Sequence, residues 1–267
     1  MLSPIEEVIM DWISAGFLVA VGVVGGVWNA VAGGATLFTF PALMAAGLPP
    51  VVANATNYLA LLPSNAAALP AYRDELRRMG PALWPLVCVS GAGAAAGSLL
   101  LMVSTPSVFL NLVPVLILVA TALFAFGEAV RAALLRALGH GRGDRAIRLL
   151  LFVASVYGGY FGAGLGIILL AVAQMLGYSH FNQANALKNL LATSFTVISI
   201  VLFGVGGLID WPTAALVMLG STAGGFAGAR IAKRVNERYL RIAVVAFGLV
   251  LSAVFACRQY GGALCGA

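Results

Sequence analysis

The sequence predicts an all-α integral membrane protein of about ten transmembrane helices, arranged as two inverted five-helix repeats with short, glycine-broken helices in each. Three observations lead there. Hydrophobic residues fill 61% of the 267 positions and charged residues only 9%, with mean hydropathy +1.01, too little charge to clothe a soluble domain of this size. Apolar runs recur along the whole chain. The second half of the chain also repeats the glycine pattern of the first.

The apolar runs fall at 10–31, 34–47, 52–72, 80–103, 107–128, 147–162, 166–178, 183–206, 211–230 and 239–257. A helix needs about twenty residues to cross ~30 Å of hydrocarbon. Most runs reach that length, whereas 34–47 and 166–178 are too short alone and each follows a glycine cluster. Gly34 and Gly47 match Gly164 and Gly177 at a shift of 130. The triplet Ala53-Asn54-Ala55 matches Ala184-Asn185-Ala186 at a shift of 131, as do Ser90, Gly93 and Gly97 with Ser221, Gly224 and Gly228. The repeats are therefore expected at 1–128 and 148–267, joined by a basic linker at 129–147.

Loop charge sets the orientation. If every run crosses, the segments 73–79, 129–148 and 230–241 share one side of the membrane. They hold Arg73, Arg77, Arg78, Arg131, Arg136, Arg142, Arg145, Arg148, Arg230, Lys233, Arg234, Arg238 and Arg241, thirteen of the fifteen Lys and Arg residues. The excess of positive charge assigns that side to the cytoplasm and both termini to the outside. Five crossings per half then make the second copy enter from the opposite face. Within the linker, Ala-Leu-Leu-Arg-Ala-Leu reads as a short amphipathic helix and the following Gly-His140-Gly-Arg-Gly as a turn.

Hydrocarbon tolerates no unpaired backbone amide unless it lines a cavity or meets protein. A helix restarting after Gly33-Gly34, or after Gly164-Leu-Gly166, presents free N–H groups and the positive end of its dipole, which suit an anion. The competing role for such glycines is close helix packing, the reading that fits Gly91–Gly97 and Gly220–Gly228. Amides inside a bilayer gather at helix contacts or transport pathways. Asn54, Asn57 and Tyr58 share one helical face, as do Asn185, Lys188 and Asn189, and Asn29, Thr36 and Tyr157 flank the breaks. These side chains and the glycines are the candidate substrate-binding residues. Lys188 alone among ionisable side chains lies well inside a run, opposite Asn57 in the repeat. It is either a fixed positive charge for an anionic substrate or a lysine reaching back to the interface.

Other classes lack their signatures. The three cysteines form no CxxC, and no HExxH, GxSxG or paired catalytic carboxylates occur, so neither enzymatic chemistry, nor a metal, nor a cofactor is expected. There is no polybasic arm, which argues against nucleic acid. Glu6, Glu7 and Asp11 precede the first run where a cleaved leader has a basic start. The expected partners are the lipid bilayer and a small anion, with the small-residue faces leaving a homodimer open.

Three stretches together resemble the sulfite exporter TauE/SafE family: Gly33-Gly-Ala-Thr-Leu-Phe-Thr-Phe-Pro41 with Gly47-Leu-Pro-Pro-Val-Val-Ala-Asn54-Ala-Thr-Asn57; Ala184-Asn-Ala-Leu-Lys188-Asn-Leu with Phe203-Gly-Val-Gly-Gly-Leu-Ile-Asp-Trp211; and Gly220-Ser-Thr-Ala-Gly-Gly-Phe-Ala-Gly228-Ala-Arg230. The matches span roughly 20–255. One departure is that Ala35 follows two glycines where the family often has three or more. The resemblance implies a secondary transporter of the bacterial cytoplasmic membrane that moves a small anion, sulfite or a sulfonate such as sulfoacetate, by alternating access. Other small organic acids and an anion channel stay open as alternatives.

Overall fold

The computed structural model describes residues 4–31, 34–66, 69–138, 144–178, 180–231 and 237–264. Among them run eleven α-helices and two single 3₁₀ turns: α1 (Pro4–Val31), α2 (Thr36–Ala45), α3 (Pro50–Ala66), α4 (Arg73–Met79), α5 (Leu83–Val103), α6 (Pro106–Leu138), α7 (Asp144–Tyr160), α8 (Leu165–Met175), α9 (Phe181–Val205), α10 (Trp211–Ile231) and α11 (Glu237–Leu264). The all-α membrane class holds, with five stretches of these residues long and apolar enough to cross a bilayer: Trp12–Asn29, Leu69–Val103, Pro106–Ala137, Asn182–Val205 and Ile242–Tyr260. The other predicted runs are shorter or less apolar. α3 and α7 have 17 residues each, and the 21 residues of α10 are diluted by Gly, Ser and Thr.

The amphipathic segment after residue 128 is helical, as expected: past a kink at Phe126 (φ −113°, ψ 17°) a second helical stretch, included in α6, runs to Leu138. Residues 139–143, with His140 and Arg142, lie outside the described residues.

The two short helices are built alike. Each begins after a left-handed glycine, Gly34 (φ 79°) and Gly164 (φ 75°). Each ends in a second one, Gly47 (φ 97°) and Gly177 (φ 89°). At the first end Gly47 N–H donates to Met44 at 3.0 Å and Leu48 N–H to Leu43 at 3.2 Å. At the second, Gly177 N–H donates to Gln174 at 3.0 Å and Tyr178 N–H to Ala173 at 3.0 Å. This pair of bonds satisfies the carbonyls that a helix end leaves over, and a residue with a Cβ pays a steric penalty at the left-handed position.

Small residues bring two pairs of helices into backbone contact. A methyl group on Gly22 would stand 2.2 Å from the Val217 carbonyl oxygen, and one on Gly26 2.2 Å from that of Ser221, so α1 and α10 run parallel. On the other side, Gly93 faces the Phe152 carbonyl oxygen at 2.5 Å and Gly97 that of Val156 at 2.0 Å, making α5 and α7 parallel too. Such proximity requires glycine and gains van der Waals contact that apolar lipid cannot match. Both packing segments predicted from sequence have this role.

Further contacts orient the remaining long helices. Ser221 of α10 donates to the Ala60 carbonyl of α3 at 2.6 Å, and Gly225 lies against Ser64, so α3 runs with α10. Ser98 and Ser199 meet at 2.9 Å and Gly206 lies on Met102, so α9 runs with α5. Tyr58 stacks on Phe203 while Thr56 accepts from Asp210 N–H at 3.0 Å, so α3 and α9 are antiparallel at the centre. α6 and α11 also oppose each other, with Gly248 on Thr121 and Ser252 donating to Pro114 at 2.9 Å. Trp12 and Trp211 are exposed where α1 and α10 begin, and Trp84 is exposed at the start of α5, which runs the other way. Exposed tryptophans at opposite ends of a bundle suit the two interfaces of a bilayer.

Candidate functional site

The C-terminus of α7 explains how the second break is held. A helix end leaves four carbonyls without partners, and in a membrane interior water does not supply them. Tyr157 O accepts from Phe161 N–H at 2.9 Å and Gly162 N–H at 3.1 Å. The Tyr58 hydroxyl of α3 donates to Gly158 O, and the Asn54 side-chain amide donates to Tyr160 O at 2.9 Å. Ser98 Oγ of α5 approaches Gly159 O at 3.4 Å. Beyond the break, the Tyr157 hydroxyl donates to Ala163 O at 2.7 Å. Three predicted site residues or neighbours on their face, Asn54, Tyr58 and Tyr157, thus position backbone.

The first break is held from the same helix. Asn57, 1% exposed, donates through Nδ2 to Thr36 Oγ1 at 3.3 Å, while its Oδ1 lies against the Thr39 hydroxyl. Thr39 also reaches the Ala35 carbonyl at 3.0 Å, and its single proton serves one acceptor at a time. α3 is therefore the ruler between the breaks: Asn57 grips the start of α2, and Asn54 and Tyr58, one turn apart, grip the end of α7.

The breaks meet at one level of the bundle. Gly34 lies under the Phe124 ring, 2.2 Å from where its Cβ would be, and Gly164 faces the Ala120 carbonyl oxygen at 3.3 Å. Both partners belong to α6 and stand four residues apart, roughly 6 Å along its axis. Between the breaks lies a cavity of about 50 Å³ lined by Thr36, Asn57, Tyr58, Leu61, Phe161, Gly162, Phe195 and Thr196. At roughly 10–15 Å³ per water-sized group, it has room for a compact group of about four heavy atoms.

Of the predicted site residues, Thr36 and Asn57 line this cavity. Asn29 instead donates to Ser64 Oγ at 2.7 Å, linking α1 and α3. Asn185 is buried on the first turns of α9. Lys188, half-buried, lays its stem over the first turn of α8, its Cδ 3.7 Å from where a Gly166 Cβ would stand. Asn189 beside it is half-buried, and Gly33 lies outside the described residues. Among the described residues, the buried polar atoms Trp28 Nε1, Asn54 Oδ1 and Thr193 Oγ1 have no hydrogen-bond partner. Sequence reasoning missed Thr39, Phe161, Phe195 and Thr196. Thr39 was legible as the residue one turn after Thr36, whereas the others enter only through tertiary packing.

Comparison with known proteins gives the framework of function. The family model described as Sulfite exporter TauE/SafE matches residues 18–255. A "Probable membrane transporter protein" of Haemophilus influenzae is 32% identical over 250 residues, covering 88% of this chain and 92% of the relative. "Probable membrane transporter protein YfcA" of Escherichia coli K12 is 27% identical over 256 residues, covering 92% and 91%. "Probable membrane transporter protein ORF9" of a Sinorhizobium species is 28% identical over 250 residues, covering 88% and 90%. No solved structure matches the chain significantly. With the family model extending over most of its length, the chain belongs to the sulfite exporter TauE/SafE family, as a multi-pass transporter of the bacterial inner membrane and not an enzyme.

Proposed function

We propose that this chain is an alternating-access carrier for a small oxyanion, built from two inverted five-helix repeats that each cross the membrane five times. The observation that carries the reading is the convergence of both glycine breaks, at one level of α6, on one cavity of mixed polar and apolar lining. Broken helices paired across a repeat interface provide helix N-termini to a substrate without a wire of charged residues. Two packing relations support the repeat. Exchanging equivalent helices of the halves turns the α1–α10 contact into the α7–α5 contact, and α1 and α7 then run in opposite directions.

Leu165 and Gly166 lead α8, and neither N–H has a backbone acceptor among the described residues. The Lys188 stem crosses this turn, and Lys188 forms no ion pair among the described residues. An anion between the breaks would find those amides, the hydroxyls of Thr36 and Thr196, and the lysine charge nearby. Asn57 is part of the cavity wall, and Asn54 holds the backbone that leads into Phe161 and Gly162. A four-heavy-atom anion such as sulfite fits within the cavity, and a larger sulfonate such as sulfoacetate would extend out of it.

Purified protein in liposomes should move sulfite with saturation and counterflow, and sulfite should outcompete sulfoacetate. Non-saturating flux without counterflow would convert the reading to an anion channel. Preference for the larger sulfonate would show that the cavity enlarges on binding, and flux of neither would remove the anion reading altogether.

A further inference from the structure

We propose that Phe40, Phe109, Tyr160 and Phe161 form a gate that seals one end of the substrate path, leaving the described conformation open toward the end with the basic loops. The inference rests on the carrier reading for its meaning but on separate observations for its geometry. Phe40 of α2 meets Phe109 of α6 edge-to-face at 6.0 Å and Phe161 at 5.6 Å, and Phe109 meets Tyr160 at 5.7 Å. Next to them, Tyr58 and Phe203 meet at 5.4 Å, 70° apart. Phe40, Phe109 and Phe203 are fully buried, and Phe161 is 1% exposed.

All these rings lie on one side of the cavity. Phe109 is the fourth residue of α6 and Phe203 the third from last of α9, while Tyr160 ends α7 and Phe161 follows it. Helix directions put that side at the end where α1 and α10 begin, away from the basic segment of α4 and the far end of α6. Burial falls off in the other direction along α3, where Ala53 to Tyr58 are buried and Leu62, Pro63 and Ser64 are half-buried. On α9 the positions Lys188, Asn189, Ala192 and Thr193 are half-buried, while Ala184 to Leu187 and Leu191 are buried.

The repeat shows that the seal is one-sided by sequence. At the same shifts, Phe40, Tyr160 and Phe161 correspond to Leu170, Ala30 and Val31, Phe109 corresponds to Leu240, and Tyr58 corresponds to Asn189. Only Phe203 has an aromatic counterpart, Tyr72. Edge-to-face rings add to apolar burial an orientation-dependent attraction that aliphatic side chains lack. A twofold-related closure at the basic end would have to form from smaller or polar groups, so the two closed states are unequal and the aromatic one is favoured.

The test uses the full chain in oriented membrane vesicles, with Cys88, Cys257 and Cys265 replaced by Ser and a single reporter, Thr196→Cys, in the cavity wall. A charged, membrane-impermeant methanethiosulfonate should label it from the face with the basic loops and not from the other. Phe109→Ala, and more gently Phe109→Leu, should raise labelling from the opposite face about tenfold, the loss of two edge-to-face contacts. Ser64→Cys, labelled from the basic face at an unchanged rate in each variant, would show that the fold persists. Equal labelling of Thr196→Cys from both faces, or no response to the Phe109 variants, would overturn the gate. Labelling reports access and needs no substrate, so a gate confirmed in a protein that moves no sulfite would leave the gate standing and defeat only the substrate.

Discussion

At the scale of single residues, position on α3 separates side chains that hold backbone from those free to meet substrate. Tyr58 and Asn54 satisfy carbonyls at the end of α7. Losing one strands a buried acceptor, which costs about 1–3 kcal/mol in stability. Tyr58→Phe should therefore lower thermal stability in detergent while leaving the substrate affinity of the folded fraction within a factor of about two. A large change in affinity with unchanged stability would move Tyr58 into the binding set. Lys188 differs, since its stem packs on Gly166 and its charge has no ion pair among the described residues. Lys188→Ala should weaken apparent sulfite affinity at least about tenfold, the order of a charge-assisted hydrogen bond, with stability little altered. Lys188→Arg keeping affinity would show that charge suffices, and an unchanged affinity in Lys188→Ala would return the residue to an interfacial role.

At the scale of elements, glycine has two separate functions that call for different tests. Gly164 needs its left-handed φ of 75°, and a Cβ there would also meet the Ala120 carbonyl oxygen at 3.3 Å. Gly97 has an ordinary helical conformation but no room, its Cβ site being 2.0 Å from the Val156 carbonyl oxygen. Gly164→Ala should cost about 1–2 kcal/mol of local strain and reduce transport, because it reshapes the break. Gly97→Ala must push α5 from α7 and should cost about 1–3 kcal/mol or more in global stability. Thermal unfolding beside flux separates them: the first variant should lose activity more than melting temperature, the second the reverse. Both glycine sets were visible in the sequence because each recurs in its repeat and because one precedes a short run. The partners were not visible. The Asn54–Tyr160 bond spans 106 residues, and the ring stack draws on α2, α6 and α7, so no local spacing encodes either. The change of character within α6 was legible, because the basic residues after the kink at Phe126 mark where the apolar run stops and the amphipathic segment begins.

At the scale of the whole molecule, helix direction and charge make one prediction. α3, α6 and α10 all run the same way, as their packing against α9, α11 and α1 requires. Their C-terminal ends therefore carry Arg73, Arg77 and Arg78 on α4, Arg131 and Arg136 on α6, and Arg230 on α10 to one face. α1 begins, and α11 ends, at the opposite face. Positive charge remains cytoplasmic because it is costly to translocate near a span, so both termini should be outside. Epitope tags at residues 1 and 267 of the full chain should react in intact spheroplasts without permeabilisation, while a tag inserted between residues 139 and 143 should react only after lysis. Reaction of one terminus but not the other would require an odd number of crossings. That outcome would break the pairing of α2 with α8 as equivalent spans, and with it the inverted repeat on which alternating access depends.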